Sequence, residues 1–287
     1  MSQVAKSKSA DQAQLRQRAK ELLSSKAVVM IVGFRKGSRG VAQPAFITEP
    51  GQADMLIFDE TCGANLAAYL LKVKHHGRIG VVAKGCDSRS IVVLLQEKQL
   101  DRSQLHILGI GCGGVFEKGQ KSDACVTCQY PNPVVYDELI GEAKSADNEG
   151  AGSREQGAGS RDSAQRWQRL SEDVSRCIRC YACRQVCPNC YCPVCFVDAS
   201  MPSWVGKTTE LSDTMLFHLM RALHMAGRCV ECGACARACP MGIDLMRFNR
   251  KMARIVQERF GHVAGLKPAE APPLAVFDPN DRQEFIS

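Results

Sequence analysis

Cys177-Ile-Arg-Cys180-Tyr-Ala-Cys183-Arg-Gln-Val-Cys187-Pro188 and Cys229-Val-Glu-Cys232-Gly-Ala-Cys235-Ala-Arg-Ala-Cys239-Pro240 are one motif written twice. Each run spaces its thiols by two, two and three residues and then places a proline, the pattern that binds 4Fe-4S clusters. The close spacings let three thiolates wrap one cubane, while the fourth reaches the other cluster. Two 4Fe-4S clusters are therefore expected, one on Cys177, Cys180, Cys183 and Cys239, the other on Cys229, Cys232, Cys235 and Cys187. Zinc is the competing reading, but zinc sites close with two cysteine pairs and do not need two matched four-thiol runs.

The chain carries 16 cysteines in 287 residues. A disulfide framework is the other explanation of such abundance, and the start of the chain argues against it. Met1 to Ala10 is polar and lysine-bearing, with no apolar secretory region, so a reduced, cytoplasmic setting is expected. No apolar run approaches the roughly 18 residues of a membrane helix, so direct membrane insertion is not expected. The formal net charge of +7 invites a nucleic-acid reading. Each oxidised 4Fe-4S core with four thiolates brings roughly −2, so two clusters lower the balance to about +3 and three to about +1. Nucleic acid is not an expected partner. Arg176, Arg179, Arg184, Arg228 and Arg237 read instead as counter-charges to the clusters.

Composition divides the chain. A Gly/Ser-rich stretch without apolar periodicity reads as a flexible linker over 142–165, between a domain at 1–141 and a second at 166–262, with a C-terminal tail at 263–287. In the first domain, Leu15, Ala19, Leu22 and Leu23 predict a helix over about 10–24. Strands are expected at 28–32, 55–58, 79–83 and 105–110, and helices at 64–74 and from Asp87 or Ser88 through Leu95. The last strand-helix-strand set is a parallel βαβ unit, so Cys86 and Cys112 emerge together at the edge where α/β proteins place ligands. Cys125-Val-Thr-Cys128 follows. These four thiols make a candidate third 4Fe-4S site, against a reading of Cys86 and Cys112 as buried, hydrophobe-like cysteines.

In the second domain, Leu211, Met215, Leu219, Ala222, Leu223 and Ala226 predict a helix over about 210–227, and Leu245, Phe248, Met252 and Ile255 another after the second run. The expected architecture is an α/β domain with a parallel βαβ core, followed by a mainly α-helical dicluster domain. Four cysteines remain: Cys62, at a strand-to-helix turn, and Cys190, Cys192 and Cys195. Together they are a candidate fourth metal site, competing with buried or lining thiols. Arg35, Lys36 and Arg39, in a glycine-containing basic loop at 33–40, are candidates for holding the phosphate of FAD or a nucleotide. The competing reading is a solvated loop facing a partner. No catalytic triad or paired-carboxylate site is recognisable.

Residues 83–87, 109–114 and 125–141 resemble, in order and spacing, three blocks of the beta-subunit family of coenzyme F-420 hydrogenases and formate dehydrogenases. The resemblance implies that Cys86, Cys112, Cys125 and Cys128 jointly hold a 4Fe-4S cluster. This chain departs from the family in a shorter α/β domain and in placing the ferredoxin runs after it. The helix between those runs resembles the α-helical ferredoxins of heterodisulfide reductase and fumarate reductase subunits. The reading is an iron-sulfur electron-transfer subunit of a cytoplasmic oxidoreductase complex in anaerobic metabolism, with catalytic and flavin-containing subunits as partners. A flavin-containing deazaflavin or nicotinamide oxidoreductase and a cluster-based redox sensor or scaffold are the alternatives.

Overall fold

The computed structural model describes residues 3–145 and 162–273, with side chains from residue 9 onward. Helix α1 (Gln3–Ser24) buries Leu15, Ala19, Leu22 and Leu23, the face their spacing predicts. Strand β1 (Met30–Lys36) runs further than expected because it turns back into β2 (Ala42–Ile47), an antiparallel partner. The second strand is thus β2 and not residues 55–58. Pro44 masks β2 in the sequence, and β2 tolerates it as an edge strand. Residues 50–55 wind instead into a 3-10 turn opened by Pro50, and only Leu56 bridges to Arg35.

Helix α2 (Ala67–Val73), strand β3 (Ile79–Ala83), helix α3 (Gly85–Gln96) and strand β4 (Leu105–Ile110) follow. After them come a small hairpin of β5 (Phe116–Glu117) and β6 (Gln120–Lys121), helix α4 (Asp123–Val126) and strand β7 (Glu138–Ile140). The sheet order is β2-β1-β3-β4-β7, parallel throughout except for β2. Strands β3 and β4 pair in parallel from Ile79 opposite Leu105, so the βαβ unit forms as expected. Helix α3 is capped three or four residues before the expected Asp87 or Ser88: Lys84 is its N-cap, and Asp87 reaches back to accept from the Lys84 N–H at 3.1 Å.

The second part is helical: α5 (Ser163–Ser175), α6 (Ala182–Gln185), α7 (Leu211–His224), α8 (Ala234–Arg237) and α9 (Met246–Phe260). Its core is built around the thiols, with Cys183 and Cys235 buried among Val197, Val205, Phe217, Ile243, Leu245 and Met246. Helix α7 is rotated from the expected face. It buries Met215 and Ala222 as expected, together with Thr214, Phe217, His218 and Arg221, and leaves Leu211, Leu216, Leu219 and Leu223 exposed.

Helix α3 is the seam between the two parts. Arg89, buried, donates to Ala264 O (2.8 and 3.1 Å) and Val230 O (3.3 Å). Glu97 takes an ion pair from Arg228 (2.6 Å) and a hydrogen bond from Tyr191 (2.7 Å). Gln96 donates to Lys267 O and Glu270 O, so the described start of the expected tail lies on α3. Most of the expected linker, residues 146–161, and the rest of the tail, residues 274–287, lie outside the described residues. Lys144, before the gap, is held by a pair of hydrogen bonds with Asn132.

Candidate metal centres

The two cysteine runs share a backbone as well as a spacing. Arg179 and Tyr181 in the first, Glu231 and Gly233 in the second, have φ between 53 and 72°. Left-handed residues cost a non-glycine side chain about 1–2 kcal/mol, and here they recur two and four positions after the first cysteine of each run. Gly233 is required for a further reason: a Cβ there would lie 2.5 Å from the Ala124 side chain across the seam. Arg179 N within the first run donates to Cys177 Sγ, and Ile243 N just after the second donates to Cys239 Sγ, both at 3.4 Å. Such bonds favour thiolate over thiol and tune a bound cluster.

The sulfurs group across the runs. Cys177 is coupled electrostatically to Cys239 and Cys180, and Cys183 to Cys177 and Cys239. Cys229 is coupled to Cys235, Cys187 and Cys232. Helices α6 and α8, one from each run, pack against each other, and Cys183 also feels Cys235 of the second run, so the thiols of the two runs share one region. Burial pushes the Cys183 thiol up to about 11 and Cys187 to about 12. Thiols so raised are protonated at neutral pH until a metal displaces the proton, so loading releases protons.

Cys86, Cys112, Cys125 and Cys128 line one cavity of about 200 Å³ at the carboxyl edge of β3 and β4. Cys86 stands in the first turn of α3, where the helix N-terminus favours negative charge. Gly85 before it admits no side chain, since a Cβ would lie 1.9 Å from Tyr130 O. Cys112 and Cys125 accept from Gly114 N and Val115 N, both at 3.3 Å. Burial raises both the Cys86 and Cys112 thiols. Cys232 of the second set lines the same cavity. Beneath it lies Lys84, buried and paired with Asp87 at 2.8 Å. Burial alone would lower the Lys84 ammonium; Asp87 and the Cys86 and Cys112 thiolates more than reverse it.

All sixteen cysteines are free of disulfides. Among the described residues, no three His, Cys, Asp or Glu side chains converge tightly enough to hold a single metal ion. A tetrahedral zinc site draws its sulfurs to about 3.8 Å from one another, whereas a cubane holds each thiolate on a separate corner.

Cys62 does not join Cys190, Cys192 and Cys195. It is 1% exposed in the α/β core, accepts from Asp59 N at 3.4 Å, and the thiol charge it feels is that of Cys112. Burial pushes it up to about 12. Cys190 is coupled to Cys195 and Cys192. The basic segment at 33–40 is a β-hairpin and not a loop that opens a helix: Arg35 and Lys36 end β1, and Gly37 N bonds Val41 O. The helix terminus that a phosphate cradle uses is missing there.

Two groups escaped the sequence reading. Arg221, buried on α7, donates to Cys183 O at 2.8 Å and feels Cys187, Cys183, Cys235 and Cys190. Burial alone would lower this guanidinium; the surrounding thiolates more than reverse it. Its bond to Cys183 O brings its charge to thiols of both runs. Of the arginines expected as counter-charges, Arg179, Arg184 and Arg228 feel Cys177, Cys195 and Cys192 while also bonding Asp213 O, Asp198 and Glu97, Arg237 donates to Cys232 O and Gly63 O, and Arg176 pairs with Asp173. The second group, Arg89, closes the seam. The only sequence signal for either was a cation at a helical position that packing would bury.

Residues 173–243 match the family described as 4Fe-4S dicluster domain. The chain is 33% identical over 100 residues to the F420-dependent formate dehydrogenase subunit beta of Methanocaldococcus jannaschii, covering 35% of this chain and 26% of that protein. It is 36% identical over 99 residues to the F420-dependent formate dehydrogenase 1 subunit beta of Methanococcus maripaludis, covering 34% and 24%. The matched stretch thus spans about a quarter of the length of these curated relatives. No helix among the described residues is long and apolar enough to cross a membrane.

Proposed function

We propose that this chain is an iron-sulfur electron-transfer subunit of a cytoplasmic oxidoreductase complex, with cluster-bearing parts at 1–141 and 166–262. Three thiolate sets would hold its clusters: Cys177, Cys180, Cys183 and Cys239; Cys229, Cys232, Cys235 and Cys187; and Cys86, Cys112, Cys125 and Cys128. A 4Fe-4S cluster on each set would take up and release electrons singly.

The observation that carries the reading is the position of Cys232, which belongs to the second set and lines the cavity of the third. The sets therefore stand in sequence across the seam, with the charge of Arg221 felt by thiols of the first two. The chain's own residues keep the junction dry and fixed. Val230 and Ala264 pack on Val93 beside Cys232, and Arg89 ties both carbonyls to α3. The cavity, about 200 Å³, is smaller than the roughly 300–1,000 Å³ of cofactor and drug-sized pockets, which favours a cluster over FAD there.

The relatives are named as formate dehydrogenase subunits, so catalytic and flavin-containing subunits of the formate dehydrogenase, hydrogenase or heterodisulfide reductase type are the partners proposed. The exposed leucines of α7 and the basic hairpin of Arg35, Lys36 and Arg39 are the surfaces offered to them. The test is anaerobic loading of the whole chain, followed by metal analysis and redox titration. The three sets named above account for about twelve of the irons bound and for three one-electron reductions. Stoichiometric zinc, or about eight irons with Cys86→Ser changing nothing, would remove the three-centre relay. Tightly bound flavin reducible by a nicotinamide would put the flavoenzyme reading ahead.

A further inference from the structure

Cys190, Cys192 and Cys195 lie outside the three four-thiol sets, yet the fold gathers them. Cys192 is exposed and the other two are half-buried. Cys190 N donates to Cys187 O at 3.3 Å, so the trio abuts the second set, and Cys190 feels the charge of Cys195 and Cys192. Two cations close on it from different elements. Arg184 of α6 holds the Asp198 carboxylate at 2.5 Å, and Asp198 N in turn donates to Cys195 O at 2.8 Å, which brings the guanidinium to Cys195. Arg228, clamped by Glu97 and stacked at 4.8 Å on Tyr191, feels Cys192. Cys62, the only other cysteine outside the three sets, is buried in the α/β core.

We infer that Cys190, Cys192 and Cys195 hold an additional 4Fe-4S cluster by three thiolates, its fourth corner open to solvent and able to take a small external thiolate. Three soft donors within six residues suit iron-sulfur chemistry. They are not disulfide-linked, and like the other sets they do not converge to single-ion distances. Arg184 and Arg228 supply positive charge where a cluster with thiolates brings net negative charge. Arg184 also occupies Asp198, the nearby carboxylate that could otherwise close the fourth corner. Val194, within the same loop, is 75% exposed, so the corner opens outward. The site rests on the relay reading only in that the chain is loaded with iron and sulfide.

The experiment uses the whole chain loaded anaerobically. Wild type should bind about sixteen irons and the triple variant Cys190→Ser, Cys192→Ser, Cys195→Ser about twelve, with the electron paramagnetic resonance signals of the other clusters retained. Added 2-mercaptoethanol should change the wild-type spectrum and leave that of the triple variant unaltered. Iodoacetamide mapping needs no variant: Cys192, although exposed, should resist alkylation until iron is stripped. Equal iron in both proteins, one zinc lost in place of iron, or prompt alkylation of Cys192 in the loaded wild type would each overturn the site. Failure of the relay reading looks different, as zinc or missing iron at the other three sets.

Discussion

Arg221 offers the sharpest test of how this protein sets its redox properties. Its guanidinium is buried, 2.8 Å from Cys183 O, and coupled to sulfurs of both ferredoxin-type sets. Arg221→Met keeps most of the stem volume and removes the charge. Reduction adds negative charge, so losing a neighbouring cation makes it harder and both potentials fall. At an effective dielectric of about 20, a unit charge at roughly 7–10 Å acts with about 1.7–2.4 kcal/mol, or about 70–100 mV for one electron. Solvent reaching the exposed Cys180 side lowers this, and a fall of about 50–100 mV is expected for both clusters. The cluster at Cys86, Cys112, Cys125 and Cys128 should move much less. Potentiometric titration followed by electron paramagnetic resonance reads all three. Arg221→Lys should recover most of the shift, which separates charge from the lost carbonyl bond. Potentials within about 15 mV of wild type in a fully loaded Arg221→Met protein would refute the reasoning.

Burial, with Arg221 and Arg179 nearby, pushes His218 down to about 4 from an ordinary 6.5. Between those values the unfolded chain binds the extra proton, so stability is lost as pH falls from about 7 toward 4, by about 1.4 kcal/mol at pH 5.5. Denaturant midpoints at pH 7.5 and 5.5 should therefore converge in His218→Leu relative to wild type. Gly85→Ala drives a methyl into Tyr130 O and should cost about four irons from the cavity at β3 and β4 while sparing the dicluster signals. Replacing Arg35, Lys36 and Arg39 with alanine should weaken copurification with a catalytic subunit most at low salt, because exposed charges are screened beyond about 10 Å at 0.1 M. Loss of flavin with unchanged partner binding would assign the hairpin to a cofactor instead.

The sequence alone determined whatever depends on neighbours a few residues apart. A cubane is wrapped by thiols two and three residues apart, so the dicluster character of the two cysteine runs was legible from spacing. Strands β3 and β4 were legible because short apolar runs bounded by turn residues have one reading, and β2 was not because Pro44 interrupts it. Tertiary structure decided what depends on rotation and distance between elements. The apolar stripe of α7 favoured its leucines as the inner face, but two charged thiolate sets need a cation more than an apolar lid, and Arg221 is buried in their place. Spacing left Cys62 free to join Cys190, Cys192 and Cys195, and packing puts it in the α/β core. Cys232 reaches the cavity of Cys86 and Cys112 only because α3 binds both parts through Arg89 and Glu97, contacts that cross 131 to 175 positions of chain. No local pattern encodes separations of that length.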